Sequence, residues 1–258
     1  MPNVSAVAGF EPFAAVAAAA HPTMATPDTA MPRGSNGRLQ VVNGMSPTLD
    51  SLSLQFVIGM GGVAGQSLDI GCGDGLAAAA VLARGGRMLA VDPNAALLQQ
   101  LTARVPEQRR ARLKIHVGSL PDIEFKSGGF AAVHAARVLH RLDGPAIEYS
   151  LRKFFRWLYP HGRLFVSVLT PLGSFWEPFH RQFIRRNVAG ERWPGYIDDV
   201  SRFLEPDEGD TGSIHLLNER ILRREIEAAG FVIEKASYYP LPWDSEQICC
   251  GIIGRCGS

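Results

Sequence analysis

Long hydrophobic runs are missing from this 258-residue chain: no stretch of about 18 consecutive apolar residues occurs, which excludes a transmembrane helix. An excess of one charge sign is missing too. Lys and Arg number 26 against 25 Asp and Glu, so the chain lacks both the basic field of a general nucleic-acid binder and a broad attraction to anionic membranes. Cysteine is scarce. Cys72, Cys249, Cys250 and Cys256 contain no C-x-x-C spacing, and three of them crowd the last ten residues. That distribution suits neither a disulfide framework nor a zinc site, so we expect reduced thiols, no metal and a cytoplasmic location. No Lys or Arg occurs before Arg33. The apolar run Phe13 to Ala20 therefore lacks the basic flank of a signal peptide, and residues 1–40 read as a flexible Ala/Pro-rich tail or a short helix lying on the domain.

Apolar residues, by contrast, make up 46% of the chain and charged ones 20%, enough for a sizeable core in one domain over residues 41–258. Ser46 or Asp50 can cap a helix through Leu49, Leu52, Phe56 and Val57, ended by Gly59, Gly61 and Gly62. Short apolar strands follow at 67–70, 88–91, 113–117, within 130–138, and at 164–169. Helical spacing fills 76–83, 95–104 and 145–158 between them. Strands alternating with helices predict an α/β fold: a doubly wound, mostly parallel seven-stranded sheet with helices on both faces. After a helix over 218–229, the segments 231–239 and 247–255 leave no room for a crossover helix. They should close the sheet as a C-terminal antiparallel β-hairpin. Residues 171–217 read as a long irregular, aromatic-rich insert on the substrate side.

The chemistry-bearing motif is Asp69-Ile-Gly71-Cys72-Gly73-Asp-Gly75, in a strand-to-helix turn. Glycine suits a tight turn whose backbone must approach a ligand, and amides at the helix N-terminus offer donors to its polar groups. Asp92, followed by Pro93, ends the next strand, where a carboxylate can accept both hydroxyls of a ribose. A dinucleotide site would want a third glycine where Leu76 stands, and Asp69 would repel a pyrophosphate. That makes an NAD-dependent oxidoreductase the weaker reading. An acid before the first glycine suits a cationic ligand.

Ser67-Leu-Asp-Ile-Gly-Cys-Gly-Asp-Gly75 resembles motif I of the class I S-adenosylmethionine-dependent methyltransferases. Ala90-Val-Asp92 is similar to that family's ribose-binding acid, and Trp157-Leu-Tyr-Pro-His-Gly-Arg-Leu-Phe165 to its turn before strand five. The resemblance implies S-adenosyl-L-methionine as cofactor. Asp69, Gly71, Cys72, Gly73 and Gly75 would hold its methionyl end, and Asp92 with Pro93 its ribose. Ser119 and Leu120 would lie by the adenine, with Ser119 where the family often has an acid. Arg137 to His140 would lie near the sulfonium. His140 is the candidate catalytic base, required when the acceptor must lose a proton.

Acceptor choice is expected in the insert and the N-terminal helix. Trp176, His180, Trp193 and Tyr196 suggest an apolar pocket, and Arg185 an anion contact. The chain has no N-P-P-[YF] run and no separate nucleic-acid module, which favours a small-molecule acceptor. A carboxylate is one option, and the arrangement distantly resembles enzymes that esterify hydroxy fatty acids as quorum signals. A fold-sharing protein that binds the cofactor without methyl transfer, for regulation or cyclisation, is the alternative.

Overall fold

The computed structural model describes residues 48–203 and 212–257, so the expected tail and the Ser46 cap lie outside the described residues. Chain order begins with α1 (Ser51–Met60), β1 (Gln66–Ile70), α2 (Leu76–Ala83), β2 (Arg87–Asp92), α3 (Ala95–Arg104), α4 (Glu107–Arg110) and β3 (Leu113–Val117). It continues with β4 (Phe130–Ala136), a 3-10 turn Leu139–Arg141, α5 (Gly144–Trp157), β5 (Leu158–Leu169) and α6 (Glu177–Val188). The last elements are β6 (Tyr196–Ile197), β7 (Ile214–His215), α7 (Glu219–Ala228), β8 (Phe231–Leu241) and β9 (Asp244–Cys256). Seven strands form one sheet in the order β3-β2-β1-β4-β5-β9-β8. The first five are mutually parallel, and β9 runs antiparallel to both β5 and β8. This is the expected architecture.

Strand alternation sorts the core into two layers. Leu68 and Ile70 of β1, Val133 and Ala135 of β4, and Leu164, Val166 and Val168 of β5 pack with α5 and α7 on one face. Ala90, Ala132, Phe165 and Ile253 point to the other face, against Leu52, Phe56, Val57 and Met60 of α1 and Ala78, Val81 and Leu82 of α2. The period of two along strands and the near-four spacing along helices produce this division directly. Asp69 and His134 share the α1 face, as buried polar residues in an otherwise apolar layer.

Several boundaries differ from the sequence reading. β5 begins at Leu158 instead of Leu164, because Leu158 pairs with Phe130 before an irregularity in the ladder at which His161 takes a positive φ of 62°. The described residues of 171–217 include regular structure: α6, whose Phe179 and Phe183 pack one turn apart into the core with their rings tilted, and the two-stranded ribbon β6–β7. That i, i+4 aromatic pair is a helix signal. No helix of the described residues is long and apolar enough to cross a membrane.

Candidate functional site

Parallel strands aim their C-terminal ends at one edge of the sheet, and a cavity opens there. Gly71, Cys72, Asp74 and Leu76 after β1, Arg137 after β4, His140 and Arg141 of the 3-10 turn, and Leu169 at the end of β5 line it. β9 runs the other way, so the β8–β9 turn reaches the same edge and contributes Leu241, Trp243 and Gln247. Thr48, Leu49, Asp50 and Ser53, at the start of α1, complete the wall.

The glycine turn has the conformation that the motif requires. Gly71, Gly73 and Gly75 have φ of 62°, 56° and 76°, a region that side chains with a Cβ disfavour. A Cβ on Gly71 would also sit 2.6 Å from Val138, and one on Gly75 2.5 Å from Leu101. Asp92 holds the turn from the neighbouring strand. Its Oδ2 accepts from the Gly73 amide at 2.9 Å and its Oδ1 from the Asn94 amide at 2.9 Å. Each carboxylate oxygen has a second lone pair. Asp74 is tied to α3 by Arg104, at 3.2 Å from both terminal nitrogens. Burial raises the pKa of the Cys72 thiol far above its ordinary value, and the Asp69 and Asp92 charges add to this, so Cys72 stays protonated.

Asp69 is buried. Its Oδ1 meets His134 Nδ1 at 2.7 Å, and its Oδ2 has no partner. Two further buried atoms on the cavity wall share that state, Nδ1 of His140 and Oε1 of Gln247. An orphan carboxylate oxygen inside a protein calls for a donor, and a cation supplies the strongest one. His140 is held neutral: burial lowers its pKa well below the ordinary value, and the Arg141 and Arg137 charges add to that. On the opposite wall, Arg137 has a φ of 56°, strained for a residue with a side chain. Its guanidinium bonds the buried Asp50 and lies 4.8 Å above the Trp243 ring, binding α1, β4 and the hairpin turn together.

The expected cofactor residues Asp69, Gly71, Cys72 and Arg137 thus line the cavity, with His140 beside them, and Gly73, Gly75 and Asp92 shape the turn. Pro93 and Ser119 are exposed and Leu120 is buried, none of them on this wall. The five expected acceptor residues are also absent from this wall. Trp176 is a core residue, 1% exposed. Trp193 and Tyr196 pack edge-on against buried His215, Trp193 at the margin of the main core, and Arg192 and Arg224 lie over the Trp193 ring. His180 and Arg185 lie on α6, Arg185 in its exposed last turn. The insert packs its aromatics inward because they are too large to leave in water without a partner surface. Asp50, Ser53, His134, Trp243 and Gln247 lie outside the sequence-based expectation. In sequence they look like a helix cap, a helix residue, a strand residue and turn residues. The register that places His134 opposite Asp69 is invisible there.

Residues 68–162 match the family model for a methyltransferase domain. No curated protein sequence matches the chain. Among solved structures, an S-adenosylmethionine-dependent methyltransferase from Methanosarcina mazei is 19% identical, with TM-score 0.60 over 74% of this chain and 92% of that one. The 1,6-didemethyltoxoflavin-N1-methyltransferase of Burkholderia thailandensis, solved with 1,6-didemethyltoxoflavin and S-adenosylhomocysteine, is 17% identical, with TM-score 0.56 over 81% and 79%. The 4+2 cyclase SpnF is 16% identical, with TM-score 0.55 over 79% and 80%. The strand order, the glycine turn and the match of residues 68–162 agree: the chain has the Rossmann-like fold of the class I methyltransferases, and its residues 68–162 are similar to the methyltransferase domain family.

Proposed function

We propose that this protein transfers a methyl group from S-adenosyl-L-methionine to a small molecule with an apolar body and a polar head. The observation that carries the reading is the orphaned Oδ2 of Asp69, buried beside three left-handed glycines at the edge of a cavity. The residues present fit the cofactor. Asp69 would take its ammonium group, the amides of the Gly71–Gly75 turn its carboxylate, and the second lone pairs of Asp92 its ribose hydroxyls. Bound there, the cofactor supplies an electrophilic methyl group on a positively charged sulfur. What remains for the protein is alignment and exclusion of water.

The acceptor side is the wall made by α1, the 3-10 turn and the hairpin turn, in place of the insert. Leu49, Leu241 and Trp243 give it an apolar part. Gln247 Oε1 and His140 Nδ1 have no partner of their own and would be open to a donor on the acceptor molecule, and Arg137 and Arg141 contribute positive charge. A hydroxyl or N–H acceptor would place its proton on His140 Nδ1. A carboxylate acceptor, such as a hydroxy fatty acid, would need no base and would use the arginines. A panel of small hydroxyl, N–H and carboxylate compounds, read by mass spectrometry for an added methyl group, tests the reading. The likeness to a cyclase favours one second reading, cofactor binding without transfer. The same panel separates the two, because cyclisation leaves the mass unchanged.

A further inference from the structure

Asp69, His134 and Ser53 form a buried chain. Asp69 Oδ1 lies 2.7 Å from His134 Nδ1, and His134 Nε2 lies 3.1 Å from Ser53 Oγ. All three side chains are at most 5% exposed. An ionised carboxylate only accepts, so Nδ1 carries the proton. In the neutral ring Nε2 then accepts, and the Ser53 hydroxyl donates to it. Every hydrogen bond in the chain therefore points towards Asp69. The ring itself is fixed by stacking on Phe56, with centroids 4.5 Å apart and planes 6° from parallel. Asp69 and His134 are also register partners on adjacent parallel strands, so the backbone sets their spacing.

This order of groups is shared with acyl-transfer triads, but Ser53 is not placed as a nucleophile. Its own amide is bonded to the Asp50 carboxylate at 2.8 Å, which puts negative charge where an oxyanion would form. The position of the chain suggests another role. His134 occupies one oxygen of Asp69, a residue of the cavity lining, and leaves the other buried without a partner.

We infer that His134 is a positioning residue for the cofactor. It orients the Asp69 carboxylate so that Oδ2 meets the ammonium group of S-adenosylmethionine, and Ser53 fixes the ring from helix α1. The inference rests on the assignment of Asp69 to that ammonium. Two ligands separate a positioning role from a structural one. S-adenosylhomocysteine has the ammonium group, whereas 5′-methylthioadenosine keeps the adenosine and lacks the amino-acid arm. Calorimetry of full-length His134→Phe, which keeps a ring against Phe56 but offers no donor, should show S-adenosylhomocysteine bound about ten- to one-hundredfold more weakly, the range for a lost hydrogen bond to a charged group. Affinity for 5′-methylthioadenosine should stay near wild type. His134→Asn restores a donor close to the Nδ1 position and should recover most of the loss, and it serves as the test if the Phe variant fails to fold. Equal weakening of both ligands, or unchanged affinity for S-adenosylhomocysteine in a folded variant, would overturn the inference. Wild-type protein that binds neither ligand would overturn the cofactor reading beneath it.

Discussion

At the residue scale, the site depends on a few buried charges, each with a defined partner. Asp50 is 1% exposed, caps α1 through the Ser53 amide and bonds Arg137. Arg137→Ala leaves that carboxylate buried and unpaired, which should cost about 3–5 kcal/mol of stability and loosen the start of α1. Denaturant titration checks this. A loss below about 1 kcal/mol would mean that water replaces the guanidinium. Asp92→Ala removes the acceptor for the Gly73 and Asn94 amides. It should lower both stability and cofactor affinity, each by about 1–3 kcal/mol, as melting and calorimetry of the same variant would show. His215 gives a pH signature. Burial lowers its pKa from the ordinary histidine value of about 6.5 to about 4, so the unfolded chain binds the proton first as pH falls. The neutral form's contribution is complete above about pH 6.5 and is lost progressively down to about pH 4, on the order of 3 kcal/mol in all. His140 acts in the same direction. Melting temperatures taken from pH 7 to pH 4.5 should fall less steeply in His215→Gln than in wild type.

At the scale of elements, the parts that lie along the chain were legible and the parts that meet across it were not. Asn218 caps α7 through the Ile221 amide, and α3 spans the expected Ala95–Arg104, because caps and apolar spacing are local. The glycine turn was legible for the same reason. The wall proposed for the acceptor was not. It forms where the start of α1 meets a hairpin turn almost two hundred residues later, and the antiparallel return of β9 that brings Gln247 there follows from sheet order. For the aromatic-rich insert the sequence does not decide, since aromatic content marks a pocket and a packed core equally. Trp176→Ala should therefore act on the fold. A loss of about 3–5 kcal/mol is expected for truncating a buried Trp, measured by denaturant titration, and a stable variant with impaired acceptor use would restore the insert to the site.

At the scale of the whole molecule, the seven-stranded sheet does two jobs. Its two faces bury the apolar layers, and its C-terminal edge collects Asp69, the glycine turn, Arg137 and the hairpin turn around one cavity. Fold and cofactor chemistry meet at Asp69, the next-to-last residue of β1, whose carboxylate has one oxygen engaged and one without a partner. Titration of S-adenosylmethionine into wild type and Asp69→Ala by calorimetry therefore tests the account most directly. Wild type should bind one cofactor per chain, and the variant, folded by circular dichroism, should bind about ten- to one-hundredfold more weakly. Wild-type protein that gives no binding, or a folded variant with undiminished affinity, would contradict the account.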